Sequence, residues 1–174
     1  ESLLSNIVNV NGDETYTNVG TDFTWNGDNI YYQGTTNSEL PITMNITYKL
    51  NDKEENLTDI LGESGKIDII ITYQNNAKHI VNINGINQTL YTPFVITTST
   101  ILDNTTNSNI EVTNGKIVST GTKSIVAAIS SPGLYESLGY SELKSLNKVT
   151  ISFNTDNFKL ASIYAVGTPK LLED

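Results

Sequence analysis

The stretch Leu61-Gly62-Glu63-Ser64-Gly65-Lys66 is the nearest this sequence comes to a phosphate-binding loop. Such a loop needs a glycine five residues before the Gly-Lys pair and a Ser or Thr directly after it. Those positions hold Ile60 and Ile67. The order of elements is also wrong, because a phosphate loop leaves a strand and opens a helix, and here an alternating strand pattern follows the glycines. Gly62 reads instead as the left-handed stop of a helical turn over 56–62, and Glu63-Ser64-Gly65 as the turn into a strand over 66–73. Ser141-x-x-Lys144 and Ser145-x-x-Lys148 repeat the spacing of an acyl-transfer nucleophile and its base. The companion Ser-Asp-Asn and Lys-Thr-Gly motifs of that chemistry are absent. His79, the single histidine, falls on a strand in parity with Val81 and Ile83, with no acid or nucleophile at a useful spacing.

Two further groups of residues offer binding rather than turnover. From Leu102 to Glu111, oxygen-bearing side chains recur at alternate positions, as in calcium loops. Asp103, Asn107, Asn109 and Glu111 are the candidate ligands, although the run lacks a mid-loop glycine and is poor in carboxylates. Phe23, Trp25, Tyr31 and Tyr32 flank the polar turn Asn26-Gly27-Asp28-Asn29. Trp25, Tyr31 and Tyr32 are candidates to stack on a sugar or peptide; the competing reading is core, since Phe23 and Trp25 share a face. Asn45, Asn56, Asn87 and Asn104 fit the glycosylation pattern, but Asn45 sits in mid-strand and the Asn-rich, Arg-free composition is bacterial in character. Lysine and asparagine are plentiful enough for a Lys–Asn isopeptide cross-link, and nothing in the spacing singles out a pair.

Composition narrows the classes. A chain of 174 residues, as one domain or two small ones closely packed, buries about 70% of its unfolded surface and needs no covalent staple. Cysteine is absent, which removes disulfides, thiolate metal sites and cysteine nucleophiles. The net charge is −9 and all ten basic residues are lysine; without arginine the chain lacks the usual reader of phosphates and base edges, so nucleic acid is not an expected partner. No apolar run approaches the roughly 20 residues of a membrane-spanning helix, and residues 1–10 do not read as a signal peptide. Beginning at Glu1 without methionine, the sequence reads as a piece of a longer chain with any anchor outside it.

The elements that must position these residues are strands. Four Asn-Gly pairs, at 11–12, 26–27, 84–85 and 114–115, supply the positive φ of tight hairpin turns. They predict hairpins joining 80–83 to 88–91, 110–113 to 116–118 and 23–25 to 30–32, and the strings at 8–17 and 81–92 share strand, Asn-Gly, strand chemistry. Period-two stripes run through Ile42, Met44, Ile46, Tyr48 and Leu50. Another runs through Val149, Ile151 and Phe153, turns at 154–157 and continues through Phe158, Leu160, Ser162, Tyr164 and Val166. Ser124 to Ile129 reads as the continuous apolar run of a sheet centre. In the strand over 66–73, Ile67, Ile69, Ile71 and Tyr73 are predicted to face the core, Ile70 to be partly covered and Lys66 to reach solvent. Two short helical insertions are expected, near 56–62 and 132–146, the second capped by Ser131 with Pro132 at its first position. The pattern as a whole predicts an all-β chain, an antiparallel β-sandwich of Ig-like or barrel-like form.

Taken in order, several strings resemble the extracytoplasmic region of Firmicutes membrane proteins related to the phage infection protein (Pip)-like family. They are Asn9-Val10-x-Gly12, Tyr31-Tyr32-Gln33-Gly34-Thr35-Thr36, Glu39-Leu40-Pro41, Gly62-Glu63-Ser64-Gly65-Lys66 and Tyr73-x-Asn75. The series continues with Asn84-Gly85, Tyr91-x-Pro93-Phe94, Val112-Thr113-Asn114-Gly115-Lys116 and Pro132-Gly133-Leu134-x-Glu136-Ser137-Leu138-Gly139. The resemblance extends from about Asn6 to Val166. Glu63, where such proteins carry lysine, and Leu50-Asn51-Asp52-Lys53, where they favour Leu-Asp-Gly-Lys, depart from the pattern in loops. The resemblance implies a domain on the outer face of the cytoplasmic membrane, tethered by segments beyond residues 1–174, and assigns no reaction and no catalytic residue. With no converging acid, base or nucleophile set, the expectation is a single non-enzymatic domain, without a cofactor, that binds a protein, phage or cell-wall component. The alternative is a glycan-binding module built on Trp25.

Overall fold

The computed structural model of the protein describes residues 4 to 169. The chain is all-β, with fifteen strands among the described residues and three short helical segments. It divides into two compact units, residues 1–39 and 40–174.

The first unit contains β1 (Ser5–Asn11), β2 (Tyr16–Val19), β3 (Asp22–Trp25) and β4 (Tyr31–Thr35). The expected hairpin from 23–25 to 30–32 does not form. β3 pairs with β2 and β4 with β1, both antiparallel. The reason is local: Gly20, at φ +63°, makes a two-residue turn that sets Val19 against Asp22 and carries Tyr16 opposite Trp25. β4 is then left to β1, where the hydroxyls of Ser5 and Thr35 meet at 2.9 Å. Asn11-Gly12 ends β1 without starting a hairpin.

The second unit holds the apolar core. Its strands are β5 (Ile42–Leu50), β6 (Lys53–Glu55), β7 (Gly65–Asn75), β8 (Lys78–Ile83), β9 (Ile86–Tyr91), β10 (Val95–Asp103), β11 (Asn107–Val112), β12 (Gly115–Ser119), β13 (Lys123–Ser130), β14 (Lys148–Thr155) and β15 (Ile163–Thr168). One sheet runs β11-β14-β7-β5-β6 and a second β12-β13-β10-β15, while β8 and β9 pair only with each other. Period two decides what is buried. Ile67, Ile69, Ile71 and Tyr73 of β7 join Val149, Ile151 and Phe153 of β14, Ile96 and Leu102 of β10, and Val126 and Ala128 of β13 in one core cluster. Tyr73 ties the two sheets directly, its hydroxyl 2.7 Å from that of Thr98 on β10. As predicted, β7 is internal, Ile70 is half-buried and Lys66 is exposed. Lys66 ion-pairs with Asp52 at 2.8 Å and lies 3.7 Å from Asp68, which also accepts a 2.6 Å bond from the Ser152 hydroxyl.

Of three expectations on connectivity in this unit, two need correction. The Asn84-Gly85 pair does make the tight turn between β8 and β9, with φ values of +52° and +86°. The run 110–113 to 116–118 is not a hairpin: β11 belongs to the five-stranded sheet and β12 to the four-stranded one. Asn114 bridges that crossing by donating to the carbonyls of Ser145 and Lys148. Gly115 is needed there for closeness, since a Cβ would collide with the Ala127 carbonyl oxygen. The stripe from Val149 to Val166 also changes sheet. Phe158 is buried and exchanges backbone bonds with Gly62 and Glu63, so the chain crosses the end of the core and β15 pairs with β10. Leu160, Tyr164 and Val166 end up exposed.

The helical insertions are α1 (Leu57–Ile60), followed by Gly62 at φ +86°, and α2 (Leu134–Leu138), which stops at left-handed Gly139. Ser131 is not the cap of α2. Its hydroxyl donates to the Phe94 carbonyl at 2.9 Å, and Gly133 at φ +87° precedes the helix. A 3-10 helix spans Ser141–Asn147.

Candidate functional site

The aromatic candidates fall in the first unit. Tyr16, which the sequence reading missed, lies at the centre of the cluster: its ring sits 5.3 Å from Phe23 and 4.8 Å from Trp25. The cross-strand pairing of Tyr16 with Trp25 forces this contact. Trp25 is half-buried and stacks at 5.4 Å against Tyr32, which is 44% exposed. Tyr31, adjacent to Tyr32 on β4, points to the opposite side by strand alternation and is exposed, with no ring contact to the cluster. Trp25 and Tyr32 are therefore brought together, and Tyr31 is not.

The calcium candidates lie at the end of β10, with Asp103, and along β11, with Asn107, Asn109 and Glu111. Asp103 accepts bonds from both the backbone amide and the hydroxyl of Thr105, at 2.9 and 2.7 Å. Those bonds, the hydroxyl first, hold its carboxyl below the usual aspartate range. Asn107 turns its amide nitrogen toward the Asp103 carbonyl at 2.8 Å, presenting a donor there rather than an oxygen. Asn109 takes φ +51° at a bulge in β11, and Glu111 pairs opposite Ser152. Among the described residues no three His, Cys, Asp or Glu side chains gather as metal ligands. His79 lies 3.1 Å from the Thr92 hydroxyl. Lys144 stands over the Tyr135 ring at 5.9 Å, and the Ser145 hydroxyl donates to the Glu142 carbonyl.

The feature that sequence reasoning passed over is a surface. On the five-stranded sheet the outward residues are polar apart from the half-buried Ile70: Thr43, Asn45, Thr47 and Lys49 on β5, Lys66 and Thr72 on β7, Thr150 and Ser152 on β14. On the four-stranded sheet they are mostly apolar. Val118, Ile125 and Ile101 form one cross-strand row, and Ala127 and Tyr164 flank Ser99 in the next. Ile129 and Val166 flank Thr97 in the third. Tyr164 is 63% and Val166 70% exposed. Ala127 and Gly115 leave a shallow hollow of about 470 Å³, bordered by Lys116 and Ile129. The charged groups on this face are Lys116, Lys123 and Asp103, so it is locally cationic in a chain of net charge −9. The signal was present in Ser124–Ile129, read as the continuous apolar run of a sheet centre. β13 is internal to its sheet, yet only its even-numbered residues are buried.

No family model, curated protein or solved structure matches the chain.

Proposed function

We propose that the protein is a non-catalytic interaction domain, carried on the outer face of the cytoplasmic membrane of a Gram-positive bacterium and binding a protein, phage or cell-wall component. The observation that carries this reading is the apolar outer face of the four-stranded sheet. Contiguous exposed apolar surface costs solubility and marks binding sites on soluble domains, and its contrast with the polar face of the other sheet rules out a general indifference to side-chain type. The resemblance to the outer region of phage infection protein-like membrane proteins supports the location, with membrane attachment through segments outside residues 1–174. The test is binding of purified protein to isolated cell-wall fractions and phage particles. An Ile125→Lys/Tyr164→Lys double variant is expected to lose binding at least tenfold while melting as the wild type does. Binding that ignores the double variant overturns the reading.

The half-buried Trp25 stacked on the more exposed Tyr32 favours a second reading, a glycan-binding module. Tyr32→Ala would then abolish capture on a glycan array with folding retained, and unchanged capture removes that alternative.

A further inference from the structure

The two sheets of the second unit are joined along one side by the crossing at Thr113-Asn114 and are open along the other. In the five-stranded sheet β6 covers only Tyr48 to Leu50 of β5, so Ile42 to Thr47 has no strand beyond it among the described residues. In the four-stranded sheet β15 has no strand beyond it among the described residues, from Ile163 to Gly167. Between these edges lies a groove of about 290 Å³, walled by Pro41, Ile42 and Met44 on one side and Ala165 and Gly167 on the other, with Ile96 beneath. Its origin is side-chain volume. The inward positions of β15, opposite Ile96 and Thr98, are Gly167 and Ala165, too small to fill the space that a larger residue would occupy. Open strand edges offer rows of unpaired backbone donors and acceptors, which an extended backbone satisfies best. No charged side chain lines the groove, and the Tyr73 hydroxyl at its base is already paired with Thr98. The groove therefore fits an uncharged strand with apolar side chains.

The same chain carries such a strand. β8 and β9 pair with no other strand, anchored at the base by the Tyr91 amide donating to the Ser137 hydroxyl of α2; every residue of β8 is exposed, Ile80 by 75% and Ile86 on β9 by 65%. A lone two-stranded hairpin is marginal in water. Residues 80–90 contain no charged side chain although the chain has ten basic and nineteen acidic residues, so two molecules of net charge −9 meet with least repulsion where hairpin meets groove. β8 and β15 are also equal in length, at six residues each. We propose that the protein self-assembles head to tail, the β8–β9 hairpin of one copy docking into the open seam between β5 and β15 of the next. Because hairpin and seam are different surfaces, a contact made in one direction leaves a free hairpin and a free seam, so it builds chains or rings, of which a reciprocal pair is the smallest. This deepens the interaction-domain reading by naming one partner, a second copy.

The experiment is sedimentation velocity across a concentration series, with far-UV circular dichroism and melting as folding controls. Wild type is expected to grow in mass with concentration. Ile80→Lys, which spoils the hairpin, and Ala165→Lys, which spoils the seam, should each remain single chains, with association weakened at least tenfold. Mixed one to one, they should form two-chain complexes and nothing larger, since the mixture retains one good hairpin–seam pair. If Ala165→Lys does not fold, Met44→Lys, at an exposed position on the other wall, takes its place. A wild type that stays single-chain throughout, a single variant that still assembles, or a mixture that stays single-chain each overturns the proposal. An isologous β15–β15 dimer gives the second of these results, because Ile80→Lys would still assemble, and a groove reserved for a different protein gives the first. Should assembly fail while binding to wall or phage still depends on Ile125 and Tyr164, only the head-to-tail contact is lost and the interaction-domain reading stands.

Discussion

Tyr73 is the residue on which the two sheets of the second unit agree. It is 3% exposed and its hydroxyl is shared with Thr98, itself 1% exposed. Burial pushes its pKa above the ordinary tyrosine value, and the Thr98 hydrogen bond opposes that rise in part. The folded protein thus holds the phenolic proton more tightly than the unfolded chain does. The associated stability is complete below a pH of about 10 and is lost as pH rises from there through the higher folded value. Tyr73→Phe should shallow the alkaline limb of a stability-against-pH curve, and at pH 7 should cost about 1–3 kcal/mol by leaving the Thr98 hydroxyl buried without its partner. Urea titrations at pH 7 and above pH 10 check both halves. Its strand neighbours behave more simply. Ile71, fully buried between β5 and β14, should cost about 2–5 kcal/mol when cut to alanine, and denaturant midpoints measure it. The inward set of this strand was legible in the sequence because alternation of Ile and polar residues leaves one register that buries the isoleucines.

Strands were easier to foresee than their partners. β5, β7 and β14 fall where period two puts them, but of the four Asn-Gly pairs only Asn84-Gly85 closes a tight hairpin. An Asn-Gly pair fixes positive φ at one or two residues and says nothing about which distant strand has a free edge. At Asn114-Gly115 that edge belongs to β13, and the chain changes sheet to reach it. The two glycines should therefore respond differently to a methyl group. Gly85 has open space around its missing Cβ, so Gly85→Ala incurs only the left-handed backbone penalty of about 1–2 kcal/mol. Gly115 needs no positive φ, yet its Cβ would collide with the Ala127 carbonyl oxygen and the Ala128 backbone. Gly115→Ala should be the more destabilising of the pair in a urea titration; the reverse order would mean that the crossing can relax away from β13. The outer apolar face escaped sequence reading for a related reason. An unbroken apolar run is expected of a strand covered on both sides, and only the pairing of β12, β13, β10 and β15 reveals that one side is bare.

At the scale of the whole chain, the buried apolar cluster lies entirely within the second unit, from Ile60 to Phe158. The first unit has Ile7 as its buried apolar residue among those described, and relies otherwise on half-buried aromatics around Tyr16. Domains below about 40 residues seldom hold themselves together without a disulfide, a metal or a partner, and this chain has no cysteine. A fragment of residues 40–174 should consequently fold alone, with one cooperative urea transition and a near-UV spectrum typical of fixed tyrosines. A peptide of residues 1–39 should give a largely unfolded circular dichroism spectrum. The long-range pairing of the larger unit sets its kinetics as well: β7 meets β14 with Asp68 opposite Ser152, a closure of more than eighty residues that must be made before the core can form. Refolding of the 40–174 fragment should fall in the millisecond-to-second range of β-rich domains, and stopped-flow tryptophan fluorescence cannot follow it because Trp25 lies outside it, so tyrosine fluorescence or circular dichroism is the probe. Microsecond refolding would mean that the β7–β14 pairing is not needed for the transition state. A fragment that unfolds with an early, non-cooperative slope would mean instead that residues 1–39 contribute to the core, and that the chain is one domain after all.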